Sequence, residues 1–403
     1  MGWRSWLGLT PGRDEFARDL ARRAAQRGVT GWTYDEAEAV LVHPERGKYF
    51  VGNSHLEYSA AHRSARPDLR EKYLSMMVDP PPEVPKLWTM AAKNLYACLR
   101  SRHQMMTTEI ECRGETPAFV KPVSRPWQGD LDVVLMYDFG HFMAQVMPET
   151  AETWGQSHDK LFEIGIGNLS ALERPAWVPL GDGLFRIASE VSFDESFALV
   201  DEVIDGLEVA GQAVVALPNR GVLLAAGSES PAGLRKLVAE AQRSLQEQPW
   251  PLSGTLLRRA AGAWQPFAPP PELARDVRLL ELLSLAGTYA EQQEALQRHL
   301  EKTGVDVFVA KFDLMGEKSE PGAVRSWCSW AEGVPSLLPK SDVVVLSRHG
   351  ETEPGEAVIV PWEALERRCA VLLERLEEDP PRFRVDSFPV AEWPALKAEG
   401  ERL

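Results

Sequence analysis

Apolar and polar positions alternate along the chain in a way that separates helical from extended stretches. In "TPGRDEFARDLARRAAQRG" (10–28), Phe16, Ala17, Leu20, Ala21 and Ala24 recur at helical spacing. Thr10 as cap, Pro11 in the first turn and Gly28 as a stop predict a helix between them. Short extended runs follow in "GWTYD", "EAVLVHP" and "KYFVG", then a second helix from about 53 to 77. The result is an α-β-β-α N-terminal unit over 1–80. "DPPPEVP" (79–85) closes it, because proline neither continues a helix nor donates to a sheet.

A second unit is expected over 86–267. Helices are predicted at roughly 86–103 and 151–172, a strand pair near 181–189, and a further helix in "ESFALVDEVIDGL". "DLDVVLMYDFGHFMAQV" (130–146) reads as a strand or hairpin bending at Gly140. "QAVVALPNRGVLLAAG" (212–227) reads as a hairpin around Pro218, Asn219, Arg220 and Gly221. Its runs are apolar on both faces, which places it in a sheet covered by helices. "SPAGLRKLVAEAQRSLQEQ" supplies such cover, with Ser230 as cap and Leu234, Leu237, Val238, Ala241 and Leu245 as the buried stripe.

The proline-rich "WQPFAPPPELA" (264–274) separates a third unit over 271–403. Two helices (272–286 and 288–303) precede strands in "DVFVAKFDL", "AVRSWCSWA", "DVVVLSR" and "EAVIVPW". A helix in "EALERRCAVLLERLEE" follows and stops at Pro380. Helices and strands come in blocks, not in strict alternation. The expected class is therefore α+β, with mixed or antiparallel sheets covered by helices and two to three packed subdomains.

Charge narrows the partners. The chain of 403 residues carries a formal net charge of −15. Nucleic acids and anionic membranes are bound by clustered Lys and Arg. The most basic stretch, "RDLARRAAQR" (18–27), interleaves Arg with Ala and acids and reads as a solvated helix face. No apolar run reaches the length of a membrane span. "MGWRSWLGLTPGRDE" lacks the pattern of a secretory leader, and Trp6 stands where myristoylation after Gly2 wants Ser or Thr. Cys98, Cys112, Cys328 and Cys369 are far apart, which speaks against zinc ribbons and redox pairs and for free thiols in a reducing compartment. A cytoplasmic protein with neither metal nor cofactor is expected.

Several short motifs imitate active sites. "DVVVLSRHGETE" (342–353) places Arg348 and His349 as in the histidine phosphatases. Those enzymes also need a second His and another Arg, and none of the 54 residues after His349 is His. A phosphohistidine without its acid and phosphate clamp has little to stabilise the transition state. Asp138-Phe139-Gly140 imitates the magnesium motif of kinases, without their glycine-rich loop or catalytic loop. "EIGIGNLS" (163–170) lacks the third glycine of a dinucleotide fingerprint and reads as a helix packed closely on a sheet. Asp138 with His141 could form an acid–base pair if Gly140 bends the strand. His55 and His62 would share a helix face, and His158 adjoins Asp159, but no zinc-ligand spacing emerges. Trp327 and Trp330 should face opposite sides of their strand.

The middle of the chain resembles the YtpQ-like bacterial proteins, a family of unknown function. The resemblance rests on "DVVLMYDFGHFMAQV", Asn168-Leu169-Ser170-Ala171-Leu172, "ESFALVDEVI" and "VVALPNRGVLLAA". It covers about 100–267 well and the N-terminal unit more loosely. The family's hairpin often has Asp where this chain has Gly221. The resemblance implies a soluble cytosolic protein and names no substrate, cofactor or catalytic residue. The function expected is a non-enzymatic binding or scaffold protein with an unknown protein or small-molecule partner. The alternatives are a hydrolase or phosphoryl-transfer enzyme using Asp138 with His141 or Arg348 with His349, and a small-ligand sensor with a cleft between the second and third units.

Overall fold

Helix α1 (Arg13–Gln26) buries Phe16, Ala17, Leu20 and Ala24. Its N-cap is Gly12 and not Thr10, and the chain leaves at Gly28 with φ +88°. The computed structural model describes residues 10–402 apart from 37–38, 80–82, 115–117, 141, 174, 190, 192, 317–321 and 349–354. Over those residues the fold is α+β, with several mostly antiparallel sheets. Strands β1 (Thr33–Asp35), β2 (Val40–His43) and β3 (Gly47–Phe50) form an antiparallel sheet beside α1. The single helix expected next is two, α2 (Val51–Ala60) and α3 (Arg66–Val78). Extended backbone at Ala61 breaks the run, and Pro67 in a first turn restarts it.

The helix expected over 86–103 is broken by a strand. After the short α4 (Trp88–Ala91) comes β4 (Leu95–Ser101), which pairs along its length with β6 (Leu131–Asp138). A short buried apolar run does not distinguish helix from strand, and non-local pairing decides. β6 also pairs with β5 (Ser124–Pro126) and β7 (Met143–Gln145). Between β4 and β5 lies α5 (Arg102–Glu111), capped by the Ser101 hydroxyl, which accepts from the Gln104 N–H. α6 (Pro148–Thr153) and α7 (His158–Ser170) follow.

Gly165 explains the "EIGIGNLS" stretch: it brings α7 against the backbone of β4. A Cβ there would stand 2.8 Å from the Ala97 nitrogen and 3.1 Å from the Tyr96 carbonyl carbon. Backbone cannot swing aside as a side chain can. Gly165→Ala is therefore expected to cost about 1–3 kcal/mol, measured by denaturant unfolding. A neutral result would show that the helix has slack.

A six-stranded antiparallel sheet follows, in the order β13-β12-β10-β11-β9-β8. Its members are β8 (Ala176–Gly181), β9 (Leu184–Ala188), β10 (Ala213–Ala216), β11 (Leu224–Gly227), β12 (Leu257–Ala260) and β13 (Ala263–Pro266). A 3-10 turn (Asp194–Leu199), α8 (Asp201–Asp205) and α9 (Pro231–Glu247) complete the region. Val214, Ala216, Leu224 and Ala226 pack under α9, while Val215, Ala225 and Leu257 join the core that holds β4 and β6. Both faces of the β10–β11 hairpin are thus covered. Ser230 caps α9 by accepting from the Gly233 N–H.

Where two helices are expected the chain forms one, α10 (Ala274–Thr303). Glycine at 287 costs helix stability, on the order of 1 kcal/mol, without breaking it. α10 begins at the end of the predicted linker and packs against both the middle and the third unit. Val277 and Leu280 pack into the core under α9, whereas Ala295 and Leu296 pack with Ile110, Val309 and Leu337. Beyond it, β15 (Asp313–Gly316), β16 (Val324–Ala331), β18 (Val343–Arg348), β19 (Glu356–Pro361) and β22 (Glu401–Arg402) form one mixed sheet, with β16 and β18 parallel. β14 (Phe308–Val309), β17 (Ser336–Pro339), β21 (Arg382–Val385) and β20 (Glu374–Arg375) form another. α11 (Trp362–Cys369) is shorter than expected, because the pairing of β20 with β21 claims residues 374–375. α12 (Trp393–Glu399) packs beside it. Trp330 is buried and Trp327 half-buried on opposite faces of β16. Among the described residues no helix is long and apolar enough to cross a membrane.

Candidate functional site

Of the residues singled out by motif, Asp138 and Arg348 are described, and both are engaged locally. Asp138 ends β6, and its Oδ1 accepts the Gly140 N–H at 2.7 Å, which stabilises the turn. Arg348 ends β18 and donates from Nε and Nη2 to the Glu332 carboxylate at 3.0 and 3.2 Å, with its guanidinium over the Trp393 ring. Glu332 raises its pKa and occupies the fork that would hold a phosphate. His141 and His349 lie outside the described residues. Asp138 and Arg348 stand on two different sheets.

The buried thiols are poor nucleophiles. Burial pushes Cys98 and Cys328 up to about 12 and Cys369 up to about 11, so the thiolate is scarce at neutral pH. Among the described residues no group of three or more His, Cys, Asp or Glu is placed to hold a metal ion.

Two polar networks escaped the motif search. The first joins the start of α5 to the start of β6 and to the loop before β21. Asp132 is fully buried and faces Arg102 Nε at 3.4 Å and Lys121 Nζ at 3.5 Å. Arg102 Nε also faces Asp379 Oδ2 at 3.5 Å. The other Asp379 oxygen lies 3.3 Å from His103 Nε2, and His103 Nδ1 lies 3.7 Å from Asp130, which accepts the Ser253 hydroxyl. Seven side chains thus run in series from Lys121 to Ser253. His103 holds Asp379 below the usual carboxylate range, while burial pushes Asp130 above it. Both ring nitrogens of His103 face carboxylates, so neither is free to take a proton from a substrate. Gln292 of α10 ties the network down by donating to the Asp379 carbonyl at 2.9 Å.

The second network surrounds the turn between β10 and β11. Glu195, fully buried in the 3-10 turn, accepts from Arg100 Nη1 at 3.0 Å and from the Gly221 N–H at 2.6 Å. The neighbouring Ser196 hydroxyl receives the Leu99 N–H at 3.1 Å, so the 3-10 turn is stitched to β4. The signal in the sequence was a charge inside an apolar run, Arg100 after "LYACL". Its partner is 95 positions away, and no local pattern reveals it.

The cavity that suits a ligand lies where the units meet. It has a volume of about 260 Å³ and is lined by α2 (Leu56), the start of α5 (Ser101, Gln104), the chain after α9 (Gln248, Pro249, Pro251, Leu252) and the middle of α10 (Ser284, Gly287, Thr288, Glu291). A Cβ at Gly287 would meet nothing within 4 Å, so this glycine opens onto free space. A larger hollow of about 360 Å³ between β3, α5 and the end of α10 is charged, and its groups engage one another and their surroundings: Arg298 faces Glu111 and Arg113 pairs with Glu378.

No protein-family model, curated protein or solved structure matches this chain.

Proposed function

We propose that the chain is a non-enzymatic binding protein that takes a small, neutral, amphipathic ligand in the cavity beside Gly287. The observation that carries this reading is the glycine itself. A residue that costs helix stability stands in mid-helix, exposed at the rim of a cavity, with open space where its side chain would be. The lining mixes hydroxyls and amides (Ser101, Gln104, Thr288) with Leu56 and Leu252, and its one carboxyl, Glu291, is pushed up by burial and by Glu111 and Glu294, which suits a neutral polar molecule with an apolar part. The engagement of Arg348, His103 and the buried thiols supports binding over chemistry.

We infer further that the middle unit is YtpQ-like. The strand β6, the helix α7 and the β10–β11 hairpin support this reading, while the helix the likeness implies in "ESFALVDEVI" is a 3-10 turn followed by the short α8. Separated, mostly buried thiols support a reducing, cytoplasmic setting, and the charge of −15 supports partners other than nucleic acid.

A thermal-shift screen of neutral amides, polyols and nucleosides tests the binding reading, with mass spectrometry of each hit after incubation. Compounds that raise the melting temperature and are recovered unchanged support it, since a ligand of the native state alone must stabilise it. Hits that are consumed, or a response confined to charged compounds, contradict it.

A further inference from the structure

The turn between β10 and β11 carries a guanidinium without an anion. Asn219, fully buried, donates to the Gln248 and Pro249 carbonyls at 3.1 and 3.0 Å and accepts the Ser244 hydroxyl at 2.8 Å. The Arg220 N–H donates to the Trp250 carbonyl at 3.0 Å. The backbone from which the Arg220 side chain departs is therefore held on both sides. Its guanidinium lies over the Trp250 ring, 4.8 Å from the centroid. Nε is buried and lacks a hydrogen-bond partner, and among the described residues the guanidinium makes neither a hydrogen bond nor an ion pair.

Its neighbours cannot neutralise it. Glu195 is the nearest carboxylate in the cluster, and its oxygens already serve Arg100, Ser196 and the Gly221 N–H. Arg186 adds a third cation at the same turn, donating to the Gly221 carbonyl at 3.5 Å. Asp194, beside Glu195, accepts the Ser189 hydroxyl and interacts with Arg186, and burial raises its pKa. Arg100, Arg186 and Arg220 against Glu195 and Asp194 leave one positive charge in excess. Arginine does not escape burial by shedding its proton as lysine can. Burial, and then the like charge of Arg100, pull Arg220 down to about 9, as expected of a cation short of a counterion.

We propose that Arg220 is the anchor of a binding site for a small monocarboxylate at the β10–β11 turn. One negative charge balances the excess, and a planar carboxylate matches the planar fork of a guanidinium. A phosphate dianion would overshoot that balance and bring a second charge toward Glu195. Trp250 fixes the guanidinium plane from one face, so the ligand's approach is preset. The site does not depend on the cavity beside Gly287 taking a neutral ligand, and either can fail alone.

The test uses the full chain in HEPES and sodium chloride, with chloride replaced stepwise by acetate or by phosphate at constant ionic strength. In the wild type, acetate is expected to raise the melting temperature saturably, by on the order of 2–5 °C at a hundred times the dissociation constant. Arg220→Leu should lose the saturable part and keep only the linear drift that such salts give any protein. Arg220→Lys, which keeps the charge without the fork, should bind acetate about tenfold more weakly by calorimetric titration. In chloride alone Arg220→Leu should melt no lower than the wild type, since it removes an uncompensated charge. Equal acetate responses in wild type and Arg220→Leu, no saturable response in the wild type, or a stronger saturable response to phosphate would each overturn the proposal. Were the leucine variant to fold poorly, the lysine variant carries the comparison by itself.

Discussion

Glu195→Ala is expected to destabilise the protein by about 3–5 kcal/mol, the largest effect of any single polar substitution in the middle unit. The carboxylate is fully buried and serves Arg100 and the Gly221 N–H. Its removal leaves two guanidiniums, Arg100 and Arg220, in a desolvated place with no counterion, and strips the Gly221 N–H of its acceptor. Glu195→Gln should cost less, because an amide oxygen still accepts one of these bonds while the charge is lost. Adding Arg100→Met to Glu195→Ala should recover part of the loss, since one uncompensated charge then disappears. Guanidinium-chloride unfolding followed by tryptophan fluorescence and circular dichroism measures all three. A loss below about 1 kcal/mol for Glu195→Ala would mean that water reaches the cluster and screens it.

Arg102→Leu should cost less at neutral pH, about 2–3 kcal/mol, because its side chain is one-third exposed and partly screened. The informative part is the pH dependence. Asp379 has a lowered native pKa, caused first by the His103 ring and also by Arg102. Such a group stabilises the fold above its unfolded value, near 3.9, and that contribution is lost as the pH falls through the lower native value. Without Arg102 the native value moves back up, so the acid transition of the variant should begin at higher pH than that of the wild type. Asp130 acts in the opposite sense. Burial raises its native value, its ionised form costs stability at neutral pH, and that cost fades as the pH falls through the raised value. Melting temperatures between pH 3 and 8 separate the two. Curves for wild type and variant that run parallel would show that Arg102 does not act on Asp379.

Local pattern revealed the elements whose periodicity is strong: α1, the cap and stripe of α9, the covered β10–β11 hairpin and the opposed Trp327 and Trp330. It failed where non-local pairing decides. "LYACLRS" is apolar enough for a buried helix, and only its pairing with β6 makes it β4. "EALERRCAVLLERLEE" has helical spacing throughout, yet β21 claims its end as β20. Gly287 suggests a break between two helices, yet the helix continues, and the glycine opens onto a cavity instead. The polar networks were the least legible part. Arg100 and Glu195 are 95 residues apart, and His103 and Asp379 are further apart still, so no spacing rule connects them. The motifs that were legible, Arg348-His349 and Asp138-Phe139-Gly140, drew attention by resemblance to known sites. Their described members, Arg348 and Asp138, serve an ion pair and a turn.

The most direct test of the binding reading is a calorimetric titration of the best neutral hit into wild type, Gly287→Ala and Gly287→Leu. Both substitutions should leave the fold intact or steadier, by up to about 1 kcal/mol, since each replaces a helix glycine with a better helix former. The account predicts that the leucine, standing at the rim of the cavity, weakens binding by about tenfold or more, with alanine in between. Undiminished affinity in a well-folded Gly287→Leu protein would contradict it and place the ligand elsewhere on the chain.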